Sequence, residues 1–336
     1  MTSFFGVSCF ATAVLFLVTT ASAGAASSSS QPAVDPFVQT GTMHRGVNVV
    51  AWTPPWEDPA RPRFEPKHFV LIRDAGFDTV VLILWPFSHM DASSRLDPAW
   101  LERLDKLVQA GLDSGVTVVL SPEDPATNRQ KLDAFWRQIA PRYKDSPARL
   151  LFQILDEPEG ASTPGQWNVE LRKTLAIIRQ TNPARNVLVG SLLINGDEDL
   201  STLDLPAGDR HLIAVVHYFL PMEFTHQGAS WVEATKNLSG VTWGSDADRA
   251  LLDKNFGAFK TWSVAHHRPI FLGSFGAYDA GEIGSRVKWD WAVARAAEAH
   301  GIPWVYWQFD YNFNVYDVPK EEWVQPILKA LIPEGK

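Results

Sequence analysis

Cysteine is all but missing: the 336-residue chain has one, Cys9, near its start. No internal disulfide can form, and thiol catalysis is excluded from everything downstream. No His or Cys spacing suits a metal, so neither a metal nor a cofactor is expected. Basic clusters are absent too. Lys and Arg (30) are fewer than Asp and Glu (38) and are interspersed with them, and the formal charge is −8. Such a balance repels phosphate backbones, so nucleic acid is not an expected partner. A Gly-rich phosphate turn is also lacking: Asn48-Val49-Val50-Ala51 stands where a doubly wound nucleotide-binding sheet would carry one. Nothing after Ala26 is apolar for long enough to span a bilayer, and no short repeat or low-complexity stretch follows the leader.

What is present begins with an uncharged segment. Met1 to Ala26 runs apolar from Phe4 to Val18 and ends in Ala21, Ser22 and Ala23. This is the pattern of a secretory signal with an A-x-A cleavage site, so a secreted or periplasmic protein is expected, with no membrane association once the signal is removed. The missing Lys or Arg ahead of the apolar run leaves an uncleaved anchor as the alternative. Residues 27–40, rich in Ser, Ala and Pro, read as a loose leader, and 41–336 as one domain. Tryptophan is over-represented, at 14 against 6 Tyr. Trp serves both as core filler and as an exposed stacking platform, and half of the rings are assigned to each role.

From Arg45 onward, short apolar runs alternate with helical patterns. Strands are expected at 45–52, 77–85, 116–120, 150–155, 186–192, 212–219, 270–273 and 303–309. Helices are expected at 66–75, 98–114, 131–143, 167–180, 246–266, 287–300 and 321–331. The run FDTVVLILW is too apolar for a half-exposed strand and suits a parallel strand covered on both faces. Eight strands with helices between most of them predict an α/β fold closed as a (β/α)8 TIM barrel.

In such barrels the working residues stand at the C-terminal strand ends. Those ends carry Trp52, Trp56 and Glu57, then Trp85, Phe87 and His89, then Ser121, Pro122, Glu123 and Asp124. Asp156 and Glu157 follow the fourth strand; His217 and Tyr218 end the sixth, with His226 and Trp231 beyond; Ser274 ends the seventh; Trp307 and Asp310 lie on the eighth. Aromatic rings around carboxylates and imidazoles suit sugar, whose C–H faces stack and whose hydroxyls accept and donate. A polysaccharide or oligosaccharide is the expected partner, with Trp52, Trp85, Trp307, Asp156, His217 and Tyr218 as substrate-binding candidates.

The segment DAFWRQIAPRYKDSPARLLFQILDEP (133–158) resembles the stretch of glycoside hydrolase family 5 that leads into its Asn-Glu-Pro motif. RGVN (45–48), AGFDTV (75–80), VHYFLPMEFTHQGASW (216–231), PIFLGSFGAY (269–278) and WVYWQFDYNFNVYD (304–317) are similar to that family in the same order. The resemblance implies a barrel acting on β-linked glucan or mannan, with Glu157 as general acid/base. It also implies that His217 and Tyr218 lie in the family's His-x-Tyr region, with Trp307 flooring the sugar subsite.

Four departures bear on mechanism. Ser274 stands where the family has its nucleophilic Glu, Val81 where it has the Arg that pairs with that Glu, Ser121-Pro122 where it has His, and Asp156 where it has Asn. Retaining hydrolysis needs two carboxyls about 5 Å apart, and a serine with no adjacent base is a poor nucleophile. Loss of Arg and Glu together avoids an unpaired buried cation, which points to natural remodelling. Two readings stay open: a glycosidase or transglycosylase using Glu157 with a non-family base (Glu123, Asp124, Asp279, Glu282 or Asp310), or a catalytically inactive barrel that grips polysaccharide. Asp156 beside Glu157 is expected to favour the protonated, acid form of one of them.

Overall fold

The computed structural model describes residues 1–3, 33–50, 63–123, 129–158, 163–194 and 197–333. Residues 4–32, with most of the expected signal and the first part of the expected leader, lie outside them, as do Trp52, Trp56, Glu57 and Asp124. The rest of that leader is not loose, since Asp35 caps a short helix at Pro36–Thr40 whose Gln39 and Thr40 are buried. The described fold belongs to the compact unit Gln31–Lys336.

Eight parallel strands close into a barrel in sequence order: β1 (Arg45–Val50), β2 (Thr79–Leu84), β3 (Thr117–Pro122), β4 (Leu150–Gln153), β5 (Val187–Gly190), β6 (Leu212–His217), β7 (Ile270–Phe275) and β8 (Trp304–Tyr306), with β8 pairing back onto β1. Alternation along each strand makes two cores. Val81, Ile83, Val119, Leu151, Leu188, Ile213, Val215, Phe271 and Val305 fill the interior above Met43. Their neighbours, such as Val80, Leu82, Val118 and Phe152, face the helices. Burial on both sides explains the unbroken apolar runs seen in the sequence.

The outer ring is α1 (Pro66–Asp74), α2 (Pro98–Ser114), α3 (Arg129–Arg142), α4 (Pro164–Arg179), α5 (Asp246–His266), α6 (Ile283–Ala299) and α7 (Gln325–Leu331). Their ends follow local chemistry. Asp97 caps α2 by accepting from Ala99 and Trp100 N–H, and Gly115 closes it at φ +96°. Thr163 with Gln166 and Ser245 with Asp248 form capping boxes on α4 and α5. The last helix starts four residues later than the pattern predicts. Glu321 takes φ +53°, and Glu322–Trp323 pairs antiparallel with Tyr316–Asp317. Among the described residues the β5–β6 connection has a short hairpin, Leu193–Ile194 with Asp197–Glu198, and a 3-10 turn, with no α-helix.

Of the 12 described tryptophans, six are buried (Trp100, Trp136, Trp167, Trp243, Trp289, Trp304) and six are partly or well exposed. Two buried indoles anchor strand ends: Trp136 Nε1 donates to Ile154 O (2.9 Å) and Trp167 Nε1 to Gly190 O (2.9 Å). On the opposite, N-terminal face, Arg185 is buried without a carboxylate. It donates to the carbonyls of Tyr143, Ser146, Pro147 and Leu150 and to Asn182 Oδ1, with its guanidinium 5.1 Å from the Phe152 ring centre. Burial pulls its pKa down to about 10, so it stays charged.

Candidate active site at the C-terminal mouth

The Trp136 anchor delivers β4 to the mouth, where Asp156 N–H donates to Pro122 O at 2.8 Å. The Asp156 side chain, only 9% exposed, turns into a polar pocket. Its Oδ1 accepts from Gln153 Nε2 (3.0 Å) and Ser121 Oγ (3.3 Å) and lies 3.7 Å from His217 Nε2. Glu157 follows at φ +36°, a left-handed conformation that costs a non-glycine residue about 1 kcal/mol or more and that concentrates at functional sites. This turn leaves the half-buried Glu157 next to Asp156 at the end of the strand.

Ser274 and His217 meet through a bulge. The β6–β7 register shifts between Val216 and His217, so that His217 pairs with Ser274. Leu272 and Phe275 both pack in the outer core, which leaves Gly273 and Ser274 together on the inner side. Gly273 is required there: a Cβ would come within 2.5 Å of Val215 Cγ1 and 3.2 Å of His217 Nε2. Asn48, a polar residue inside β1, reaches across to donate to Gly273 O at 2.9 Å. Ser274 is therefore paired across the ladder with a histidine, which the linear sequence did not reveal.

Trp307 sits half-buried on the interior core at the end of β8, its N–H donating to Phe275 O (2.8 Å). Trp85 donates through Nε1 to Glu123 Oε2 at 2.8 Å, linking the β2 and β3 ends. Beyond β6, His226 is held neutral, its pKa pulled down to about 4 by burial. Trp231, 54% exposed, meets Tyr278 edge-on at 5.0 Å.

Several expectations need correction. Tyr218 does not reach the mouth: strand alternation turns it outward, 3% exposed, against Phe256 and Trp289, where its hydroxyl accepts from Asn255 Nδ2 (3.4 Å). Among the candidate bases, Asp310 is taken by Arg63, whose Nε donates at 2.6 Å. Glu282 caps α6, accepting from Gly284 and Ser285 N–H, both at 2.7 Å, and these bonds lower its pKa. Val81 is part of the apolar interior, 1% exposed between Asn48 and Val119. Among the described residues no group of three His, Cys, Asp or Glu could hold a metal, and no helix is long and apolar enough to cross a membrane.

Gln153, Asn48 and Arg63 were missed in the sequence. The only signal for the first two was a polar side chain interrupting an apolar strand. Arg63 had none, since its partner is 247 residues away.

Comparison with known proteins supplies a lineage. The model of the cellulase family (glycosyl hydrolase family 5) matches residues 38–313. Endoglucanase H of Acetivibrio thermocellus is 29% identical over 324 residues, covering 92% of this chain and 35% of that protein. The chain thus spans about a third of the length of that relative. The structure of Thermotoga maritima Cel5A with mannotriose superposes with a TM-score of 0.82 at 32% identity, covering 89% of this chain and all of that one. Cellulose synthase subunit Z of Clostridioides difficile superposes at 0.80 with 31% identity, over 86% and 99% of the two chains.

Proposed function

Because the chain belongs to glycosyl hydrolase family 5, we propose that it takes a β-linked glucan or mannan at the barrel mouth, with Glu157 as general acid/base. The reading is carried by one observation: the strand ends that bear Asp156, Glu157, His217, Ser274 and Trp307 all open on the same face. Relatives solved with cellobiose and mannotriose support the substrate class. We take Trp307 as the sugar-stacking ring, His217 and Asp156 as hydroxyl partners, and Met1–Ala26 as an export signal. Trp52 and Trp85 belong to the same proposed rim.

Position 274 closes the retaining route. A serine is too short to stand about 5 Å from the acid and attack the anomeric carbon as a carboxylate would. Glycosidic cleavage then needs a base across a water molecule, roughly 6.5–9.5 Å from Glu157. Glu282 is committed to capping α6 and Asp310 to pairing with Arg63. Of the two candidates that remain among the described residues, Glu123 and Asp279, we assign the role to Glu123, which Trp85 Nε1 holds at the end of β3, the strand next to the one that carries Glu157.

A second reading is favoured by Val81, which stands apolar in the barrel interior where the family resemblance implies an Arg: a barrel that grips polysaccharide without cutting it. Reducing-sugar release from soluble β-glucan, mannan and xyloglucan separates the two. The enzyme reading expects release, and Glu157→Gln should lower it by at least ~100-fold. Binding by calorimetry with no release, unchanged by Glu157→Gln, leaves only the gripping barrel.

A further inference from the structure

The two departures at Ser274 and Asp156 both concern neighbours of one imidazole. His217 faces Ser274 across the β6–β7 ladder, where adjacent strands are about 4.8 Å apart, and its Nε2 lies 3.7 Å from Asp156 Oδ1. The His217 side chain is 3% exposed and that of Asp156 9%. Ser274 is 3% exposed. Asp156 is itself held by Ser121 and Gln153. An amide at position 156 could not stabilise an imidazolium, and a carboxylate at 274 would compete for the proton. With Asp and Ser there, the same imidazole lies 3.7 Å from a carboxylate and is paired across the ladder with a hydroxyl-bearing residue. A serine–histidine–aspartate relay is recognised by these roles, on whatever fold they occur.

We propose that Ser274, His217 and Asp156 form an acyl-transfer relay, and that its substrate is an O-acyl ester carried by the glycan bound at the mouth. Ser274 Oγ attacks the ester carbonyl carbon while His217 takes the hydroxyl proton, and Asp156 stabilises the resulting imidazolium. The bond from the carbonyl carbon to the sugar oxygen breaks, and that oxygen receives the proton from His217. Water then attacks the acyl-serine, giving its proton to His217, and the carboxylic acid leaves with Ser274 restored. Water is the only co-reactant, and no redox change occurs. The chemistry of the relay stands on the three residues; the identity of its substrate rests on the glycan-binding reading above.

The test uses the full chain with a fluorophosphonate label, p-nitrophenyl acetate and an O-acetylated glucomannan. The expected result is one label per chain, mapped by mass spectrometry to the peptide containing Ser274. Acetate release should fall at least ~100-fold in Ser274→Ala. Asp156→Asn should lower the rate ~10- to 1,000-fold and displace the imidazole limb of its pH profile, which a merely structural change would leave in place. Circular dichroism and glycan calorimetry on Ser274→Ala confirm an intact fold. Absence of label together with acetate release that persists in Ser274→Ala overturns the relay. If glycan binding survives that result, the glycan reading stands alone. Labelling and aryl-ester cleavage without release from the glucomannan overturn the acylated glycan as substrate.

Discussion

Position 274 shows how much one residue depends on its surroundings. Placing at 274 the carboxylate that the family resemblance implies, with Ser274→Glu, adds a charge at a 3%-exposed position at the end of β7, while Val81, part of the apolar barrel interior, supplies no guanidinium to receive it. A buried carboxylate without a guanidinium partner takes up a proton, from solvent or from the His217 side, or destabilises the fold by several kcal/mol. Ser274→Glu alone is therefore expected to raise reducing-sugar release less than ~10-fold and to lower the melting temperature. Adding Val81→Arg supplies the missing partner and should recover part of the stability. High turnover from the single change would mean that another group in the mouth supports the carboxylate. Gly273 belongs to the same argument, since the space it leaves above Val215 is where the His217 ring lies.

At the scale of elements, α6 meets β8 through a buried acid. Asp290 is fully buried, receives the Tyr306 hydroxyl at 3.3 Å, and keeps Oδ1 without a hydrogen-bond partner; Arg286 Nη2, on the same helix, has none either. Burial is the main cause that pushes the Asp290 pKa up to about 7. In the unfolded chain the group titrates near 3.9. Between those values the folded state holds the proton and the unfolded state has lost it, so this residue's contribution to stability falls as pH rises from about 4 to about 7 and is level above. Asp290→Asn removes the titration. Each factor of ten in proton affinity is worth about 1.4 kcal/mol, so the variant is expected to be more stable than the parent at pH 8 by up to a few kcal/mol, with the gap shrinking toward pH 4. Urea unfolding at the two pH values measures it; an equal difference at both would show that Asp290 does not titrate in this window.

The same scale explains what the sequence made legible. Barrel strands were readable because burial on both faces leaves long apolar runs, and α2 and α5 match their expected bounds because capping residues mark their ends. Most strand ends ran one to three residues long, since side chains such as Phe77 and Leu192 remain buried beyond the ladder, whereas the third and seventh strands continue two residues past their expected ends, to Pro122 and Phe275. His217 and Tyr218 look equivalent as neighbours, yet a period of two sends one inward and the other into the helix layer. Asp310 and Glu282 resembled free rim acids only because Arg63 and the α6 N-terminus are brought to them by the fold. The nearness of His217, Ser274 and Asp156 depends on a bulge, which leaves no mark in composition or periodicity.

Across the whole barrel, the Arg185 anchor and the proposed site lie on opposite faces, as the barrel architecture allows. Arg185 ties the α3–β4 connection to the chain entering β5, and its removal strands several carbonyls of Tyr143, Ser146, Pro147 and Leu150 in a buried site. Leaving such groups unpaired costs about 1–3 kcal/mol each before relaxation, so Arg185→Ala should destabilise the barrel by roughly 3–5 kcal/mol. That corresponds to a fall in melting temperature on the order of 10 °C. Trp231 is the opposite case: half-exposed, resting on Tyr278, and outside the core. Trp231→Ala should leave the melting temperature within about 2 °C of the parent while weakening cello-oligosaccharide binding about 10-fold, the value of one stacked ring. Thermal scans with and without oligosaccharide read both variants together. A ligand at 100 times its Kd adds about 2.7 kcal/mol to the parent, and the Arg185 variant should gain the same increment from a lower baseline because its mouth is intact. The Trp231 variant should start at the parent's baseline and gain less. If Arg185→Ala abolished the ligand's increment while remaining folded, the two faces would be coupled through the strands, and the separation of scaffold from site would not hold for this barrel.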